Sequence, residues 1–404
     1  MRGKDELPFL ILGVLLYTGD VISDSFVAYQ YYKRDQWWWF GLTLTFVIVP
    51  FVVINIAALI QTKIFSSDEN DPPREGRCLN LMCRSLFYFG LPIIFRYLEE
   101  YWQWKSAYCE NLPCSRENCE DSDCESCKSH HKQKRKLAKS AYKLAWLRHI
   151  ETVTESIPQW CLQVYIMLRQ WYFPWYTLVS IVVSLLSSAW SITALEKARH
   201  KKNAPNELKC ISKVVLWNAM CYGWQMFALT SRLSAIVFCA YVLRFYVVVF
   251  IAAHFLIATL YHDLWFGNGF GCLDLGWFLV IHYCLFFHVS ESLLCKFHKQ
   301  DNSENQHNFQ DVARLRSGTL KINISLAFRN ILMLIISVMV SEPDMPHIDE
   351  IKRIVIPSVP IVGLFGVLFC IGYFICDSIS RAQVSPTDAI PEPNPAVQVE
   401  NRDV

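Results

Sequence analysis

The sequence predicts an all-α polytopic membrane protein: eight transmembrane helices plus two membrane-dipping helical hairpins, arranged as two similar halves. Three observations carry this. The 404-residue chain is 53% hydrophobic and only 18% charged, against roughly 25% charge in an average soluble domain. Its mean hydropathy is just +0.23, so only clustering of apolar residues can supply spans, each of which needs about 20 in a row. They are clustered: Leu7–Tyr32, Trp37–Ile60, Phe173–Leu195, Val214–Val242, Phe245–Leu264, Cys272–Phe287, Ile322–Val340 and Ile354–Ile375 are long apolar stretches, and Leu79–Trp104 and Leu144–Leu168 are apolar runs with charges set into them. This composition excludes a disordered chain, collagen and a basic nucleic-acid-binding domain. Transmembrane strands fail on length, being about 9–11 residues with strict alternation.

Met1-Arg2-Gly3-Lys4 followed by an apolar run resembles a signal peptide. The run, however, continues past the usual apolar core, carries Asp20 and Asp24, and lacks a small-residue cleavage site, so it reads as the first span. Leu79–Trp104 is broken by Pro92 and reads as a hairpin that enters and leaves on one side; 272–297 reads as a second. With those two not crossing, eight spans remain, and segments 1–6, 62–148, 197–213, 265–321 and 377–404 share one side. They hold 30 of the 38 Lys and Arg residues, which puts them and both termini in the cytosol. Residues 1–376 form a single transmembrane domain with halves 7–196 and 212–376, a Cys-rich basic cytosolic loop at 105–145, and a disordered cytosolic tail at 377–404. Each half runs span, span, hairpin-bearing loop, span, span, a layout common where polar substrates cross membranes.

The informative residues are ionisable groups inside the apolar runs, since a charge at mid-membrane costs about 2.5–3.5 kcal/mol on insertion scales and must find partners. Asp20 and Asp24 are four apart and share a helix face. Arg148, Glu151 and Glu155 share another, Arg96 precedes Glu99 and Glu100 by three and four, and Arg232 sits in the middle of its run. Buried ion pairs that serve stability alone are poorly competitive with apolar packing, so the set reads as a polar path; a track with both signs suits a zwitterionic headgroup. Asp20, Asp24 and Arg148 are expected to pair at rest. Pro158 breaks a helix well inside a span, with Gln159 and Gln163 four apart beyond it.

Here the chain resembles a known family. Arg148-His149-Ile150-Glu151-Thr152-Val153-Thr154-Glu155-Ser156-Ile157-Pro158-Gln159-Trp160-Cys161-Leu162-Gln163-Val164-Tyr165 is similar to the signature of the XK-related family: Leu-Arg, then Glu-Thr, then Glu-x-x-Pro-Gln-Leu-x-Leu-Gln-x-Tyr. The Asp20/Asp24 pair, Phe95-Arg96, Ser188-Ala189-Trp190-Ser191 and Arg232 resemble further family features. The likeness covers roughly Leu7–Ile375, although Gly372-Tyr373-Phe374-Ile375-Cys376-Asp377 departs from the aromatic-His-Pro ending frequent in the family. The resemblance implies eight spans with two hairpins. It also implies phospholipid scrambling or lipid-linked transport: members scramble lipids, including phosphatidylserine, across the plasma membrane, and several are switched on, as in apoptosis, when a caspase cuts the cytosolic tail. The expectation for this chain is energy-independent scrambling between leaflets. Asp388 in Ser385-Pro386-Thr387-Asp388 is the candidate cleavage position.

Other chemistries find little purchase. Of Cys109, Cys114, Cys119, Cys124 and Cys127, only Cys124 and Cys127 have the spacing of paired zinc ligands, so no metal is expected; a small zinc or disulfide module, acylated thiols and plain reduced thiols are the readings of this loop. Lys132–Lys136 reads as an anionic-lipid contact. The His residues lack the clustered boxes of a membrane metal oxidase, and neither a phosphate loop nor a nucleophile elbow is present. The protein is therefore expected to be no enzyme and to need no cofactor. Its expected partners are phospholipids, with an accessory single-span membrane protein, a second copy of the chain and a caspase as further candidates, and no nucleic acid. An ion-coupled solute transporter using the same charges and a membrane scaffold for a partner protein are the alternatives.

Overall fold

The structure is a computed structural model that describes residues 6–65, 92–110, 124–203, 211–244, 246–249, 252, 286–288, 309–343 and 345–382. Every element among them is helical: α1 (Glu6–Lys33), α2 (Trp37–Phe65), α3 (Pro92–Lys105) running into a π-helical turn at Ser106–Glu110, α4 (Glu125–Glu151), a second π-helical turn at Thr152–Ser156, α5 (Ile157–Gln170), α6 (Trp175–Asn203), α7 (Ile211–Leu243), α8 (Phe309–Val340) and α9 (Ile348–Ala382). Among the described residues, six helices are long and apolar enough to cross a membrane: Glu6–Lys33, Trp37–Ala58, Trp175–Lys201, Val215–Leu243, Arg316–Val340 and Ile348–Ile379. The protein is thus a multi-pass helical membrane protein. Most of the expected sixth span (245–264) and second hairpin (272–297), the first arm of the first hairpin, Cys114, Cys119 and the tail with Asp388 lie outside the described residues.

The segment expected as a third span is one continuous helical rod, α4 through α5, packed against α2, α3, α6 and α7 and tied to α1 through side-chain hydrogen bonds. Its local shape follows from Pro158. Proline lacks the N–H that would bond the carbonyl four residues back, and its ring presses on that carbonyl. The helix answers by widening just before it: the Ile157 N–H reaches back to the Thr152 carbonyl, five residues away, and Thr152–Ser156 is a π turn. The sequence reading expects a kink here; the observed device is a bulge, which keeps the rod continuous while re-aiming the side chains beyond it.

Two expected boundaries move. The 105–145 loop is helical from Glu125 onward, because Leu137, Ala138, Leu144, Ala145 and Leu147 recur at helical spacing and are buried. The last helix continues past the expected tail start at 377 to Ala382. The reason is electrostatic: the Asp377 carboxylate pairs with Arg316 of α8, and Arg316 Nη1 also donates to Ser378 Oγ at 3.1 Å.

The helix ends identify two poles. At one, the turn after α1, the turn between α5 and α6 and the turn before α9 meet. Arg34 donates to the Tyr172 hydroxyl at 3.1 Å, Gln170 to Gln36 at 3.3 Å, and Trp171 stacks flat on His347 with centroids 4.1 Å apart. Asp35, Trp171, Arg244 and His347 all take the left-handed conformation that ends or reverses a helix sharply. At the other pole, Glu6 at the start of α1 accepts from the Tyr108 hydroxyl at 3.1 Å and pairs with Lys201 at the end of α6 at 2.7 Å.

Helix α9 lies along α7 at close range because glycines open the way. A Cβ on Gly366 would meet the Ala228 backbone nitrogen at 3.0 Å, and one on Gly363 the Ser231 hydroxyl at 2.9 Å. Overpacking of this kind costs about 1–3 kcal/mol. Gly366→Val is expected to lower the thermal unfolding midpoint of the detergent-purified protein, whereas Gly41→Ala, with nothing within 4 Å of the new methyl, leaves it unchanged or slightly raised.

Candidate functional site

The polar cluster of the first half is built from three elements that each contribute at helical spacing. Helix α1 supplies Asp20 and Asp24, one turn apart. The central rod supplies Arg148 and Glu151 from α4, Glu155 and Ser156 from the π turn, and Gln159 and Gln163 from α5. Helix α6 supplies Ser180, Ser184 and Ser187. All of these side chains are buried; Asp20 and Asp24 retain 2% and 1% exposure.

Each aspartate is held by hydroxyl and amide donors. Asp20 accepts from Ser184 at 2.5 Å and from Ser156 at 2.7 Å. Asp24 accepts from Ser180 at 2.6 Å and from the Gln163 amide at 3.0 Å. Arg148 takes Glu151 as its direct ion-pair partner, donates through Nη2 to Ser187 at 2.9 Å, and lies 4.6 Å from the centroid of the Tyr17 ring. Ser156 also reaches Glu151 at 3.3 Å, which links the two networks. The expected resting pairing of Arg148 with both aspartates is therefore replaced by an Arg148–Glu151 pair. Glu151 sits three residues along the same rod and is closer at hand, while the serines saturate the aspartates. Glu151, Asp20 and Glu155 lie within electrostatic range of this guanidinium, and Asp24 joins the cluster through Asp20, Glu151 and Glu155.

Gln159 is fully buried and both its amide atoms, with Gln163 Oε1, lack a hydrogen-bond partner among the described residues. Buried polar groups left unpaired cost about 1–3 kcal/mol each. The cluster thus carries hydrogen-bonding capacity that its own side chains do not consume.

The remaining expected residues lie elsewhere. Arg96 pairs with Glu99 at 2.6 Å on α3, at the protein surface, with 46% of the Glu99 side chain exposed. Glu100 faces Lys201, Glu6 and Lys197 near the pole where α1 begins. Arg232 belongs to the second half: Nε donates to the Phe286 carbonyl at 2.8 Å and Nη1 to Asn330 Oδ1 at 3.0 Å. Cys124 precedes α4 and Cys127 lies in its first turn. Among the described residues no three His, Cys, Asp or Glu side chains come together as metal ligands.

The serine set was not singled out in the sequence, although its signal is there: Ser180, Ser184, Ser187 and Ser191 repeat at four, three and four residues in an otherwise apolar run, one stripe of a helix. Gly13 was missed as well. A Cβ there would strike the Tyr97 hydroxyl at 2.9 Å, so glycine lets α3 close over α1 beside the cluster.

The fold and this cluster define a class: a multi-pass helical membrane protein whose first half encloses charged and hydroxyl side chains. The sequence model of the XK-related protein family matches residues 8–376, and the chain belongs to that family. It is 25% identical over 267 residues to Cell death abnormality protein 8 of Caenorhabditis briggsae, covering 61% of this chain and 55% of that protein. It is 27% identical over 187 residues to XK-related protein 9 of Tetraodon nigroviridis, 45% of each chain. It is 25% identical over 195 residues to XK-related protein 8 of the same fish, 46% of this chain and 43% of that protein. The chain spans about half the length of these relatives.

Removing one partner of a buried ion pair strands the other and costs about 3–5 kcal/mol. Arg148→Leu is expected to lower the unfolding midpoint sharply, and the Arg148→Leu/Glu151→Leu double variant to recover part of the loss, as read by thermal unfolding in detergent.

Proposed function

We propose that the protein is an energy-independent phospholipid scramblase of the plasma membrane. The observation that carries the reading is the buried cluster of Asp20, Asp24, Arg148, Glu151 and Glu155 with its serine and glutamine partners, set inside an apolar bundle. A bundle selected for stability alone does better with apolar packing. A zwitterionic headgroup, by contrast, needs both acceptors and a cation on its way across. Membership of the XK-related family and the likeness to a protein named for abnormal cell death support the same reading and favour phosphatidylserine as a cargo in dying cells.

In this reading the described state is closed. Headgroups enter when the hydroxyls of Ser156, Ser180 and Ser184 exchange the aspartates for lipid, while acyl tails stay in the bilayer. Both termini face the cytosol. Phospholipids are the ligands, no bond is made or broken, and an accessory single-span protein, a second copy of the chain or a caspase acting at Asp388 sets activity.

The test is lipid exchange in liposomes that carry the purified protein and a fluorescent phospholipid. Exchange is expected without ATP or an ion gradient, from the full chain or after truncation following Ala382. The Asp20→Ala/Asp24→Ala/Arg148→Ala variant is expected to fall to the rate of protein-free liposomes. Unchanged exchange in that variant rejects the path. Gradient-driven solute uptake without lipid exchange rejects scrambling in favour of transport, and failure of both assays with capture of a protein partner points to a scaffold.

A further inference from the structure

Arg232 poses a separate problem. It lies on α7, fully buried, and the partners that hold it are all neutral. They are the Phe286 carbonyl at 2.8 Å, Asn330 Oδ1 at 3.0 Å, Met333 Sδ at 3.1 Å and the Phe286 ring, whose centroid is 4.6 Å from the guanidinium carbon. No carboxylate of the described residues reaches it, and the charged neighbour within electrostatic range is another cation, Arg329. Nη2 has no hydrogen-bond partner among the described residues. This is the reverse of Arg148, which pairs with Glu151 and lies within range of Asp20 and Glu155. An isolated buried cation without a counter-charge is strongly unfavourable. A guanidinium offers its donors in a fixed fork, and the edge left open here is ready for an anion.

The surroundings brace that open edge. Asn330 is fixed from both ends of its amide: Oδ1 receives Arg232, and Nδ2 donates to Ser231 Oγ at 3.1 Å. Ser231 in turn donates to the Val359 carbonyl of α9 at 2.9 Å. The guanidinium is therefore held by α7, α8, α9 and the 286–288 segment in one orientation, and Nη2 cannot swing away to find a carboxylate. A preoriented, desolvated donor that keeps its charge is what selects a small anion over water.

We propose that Arg232 Nη2 is the anchor of an internal anion site between α7, α8 and α9, occupied by a small monovalent anion such as chloride, which supplies the counter-charge that the described residues do not. None of the groups that hold Arg232 belongs to the carboxylate cluster. A lipid phosphate shares the chemistry, since it too is an anionic acceptor, and the test separates the two sources.

Delipidated full-length protein in detergent is unfolded by heat in chloride and in gluconate at matched ionic strength, with chloride titrated. In a parallel arm short-chain phosphatidic acid is titrated into the gluconate sample. A saturable rise in midpoint with chloride, on the order of a few degrees, that is lost in Arg232→Gln establishes the inorganic anion. The same behaviour with phosphatidic acid alone establishes the site with lipid phosphate as occupant. No saturable shift in either arm, or a shift that survives in Arg232→Gln, overturns the proposal. If Arg232→Gln does not fold, Arg232→Lys decides: it keeps the charge but loses the fork, so half-saturation is expected to rise roughly tenfold, and an unchanged value overturns the site. Lipid exchange plays no part in the readout, so the two proposals fail independently.

Discussion

The constraint on which this protein depends is the burial of four carboxyl groups and one arginine in a single cluster inside an apolar bundle. Arg148 and Glu151 neutralise each other on one rod, and that local pair leaves the aspartates of α1 to be satisfied by something else. The something else is hydroxyls, contributed by α6 and by the π turn. Because Ser184 and Ser156 approach Asp20 from opposite elements, α1 is gripped between α6 and the central rod. The placement of α1, the packing of α6 against it and the aiming of the π turn all follow from that grip. Hydroxyls suit the task for another reason. They donate through a proton that rotates freely, so a partner can be exchanged with little backbone movement.

The N-terminal and C-terminal parts of the described chain hold buried polar groups differently. The first encloses an excess of acceptors and uses serine to quieten them. The second holds its cation with an asparagine, a thioether, a carbonyl and a ring, and closes α7 onto α9 through Gly363 and Gly366. The contact between them includes His149 and His288, both fully buried, with ring centroids 4.9 Å apart.

Much of this was legible beforehand, and the reasons are physical. Spans announce themselves because a bilayer demands long apolar runs, so α1, α2, α6, α7, α8 and α9 fall where the runs lie. Charges within those runs are costly enough that Asp20, Asp24, Arg148, Glu151 and Glu155 stand out individually. What did not show was which of them meet. Arg96, Glu99, Glu100 and Arg232 look equivalent in one dimension, yet depth and helix face send them elsewhere. Serine escapes notice because it is cheap in a membrane helix, and only its repeat at α-helical spacing betrays it. The helical extent of 125–145 and of 377–382 was hidden for the opposite reason: those stretches are polar, and what keeps them helical is contact with other elements, as the Arg316–Asp377 pair shows.

The π turn at Thr152–Ser156 has a mechanical consequence. A bulge of this kind carries one residue more than a plain α-helix covering the same rise. The rod therefore holds slack. Taking up that residue would extend the rod by about 1.5 Å and turn its far end by about 100° relative to its near end. Pro158 keeps the slack parked next to Glu155 and Ser156, so the length reserve of the central rod and the hydroxyl that restrains Asp20 occupy the same stretch of chain.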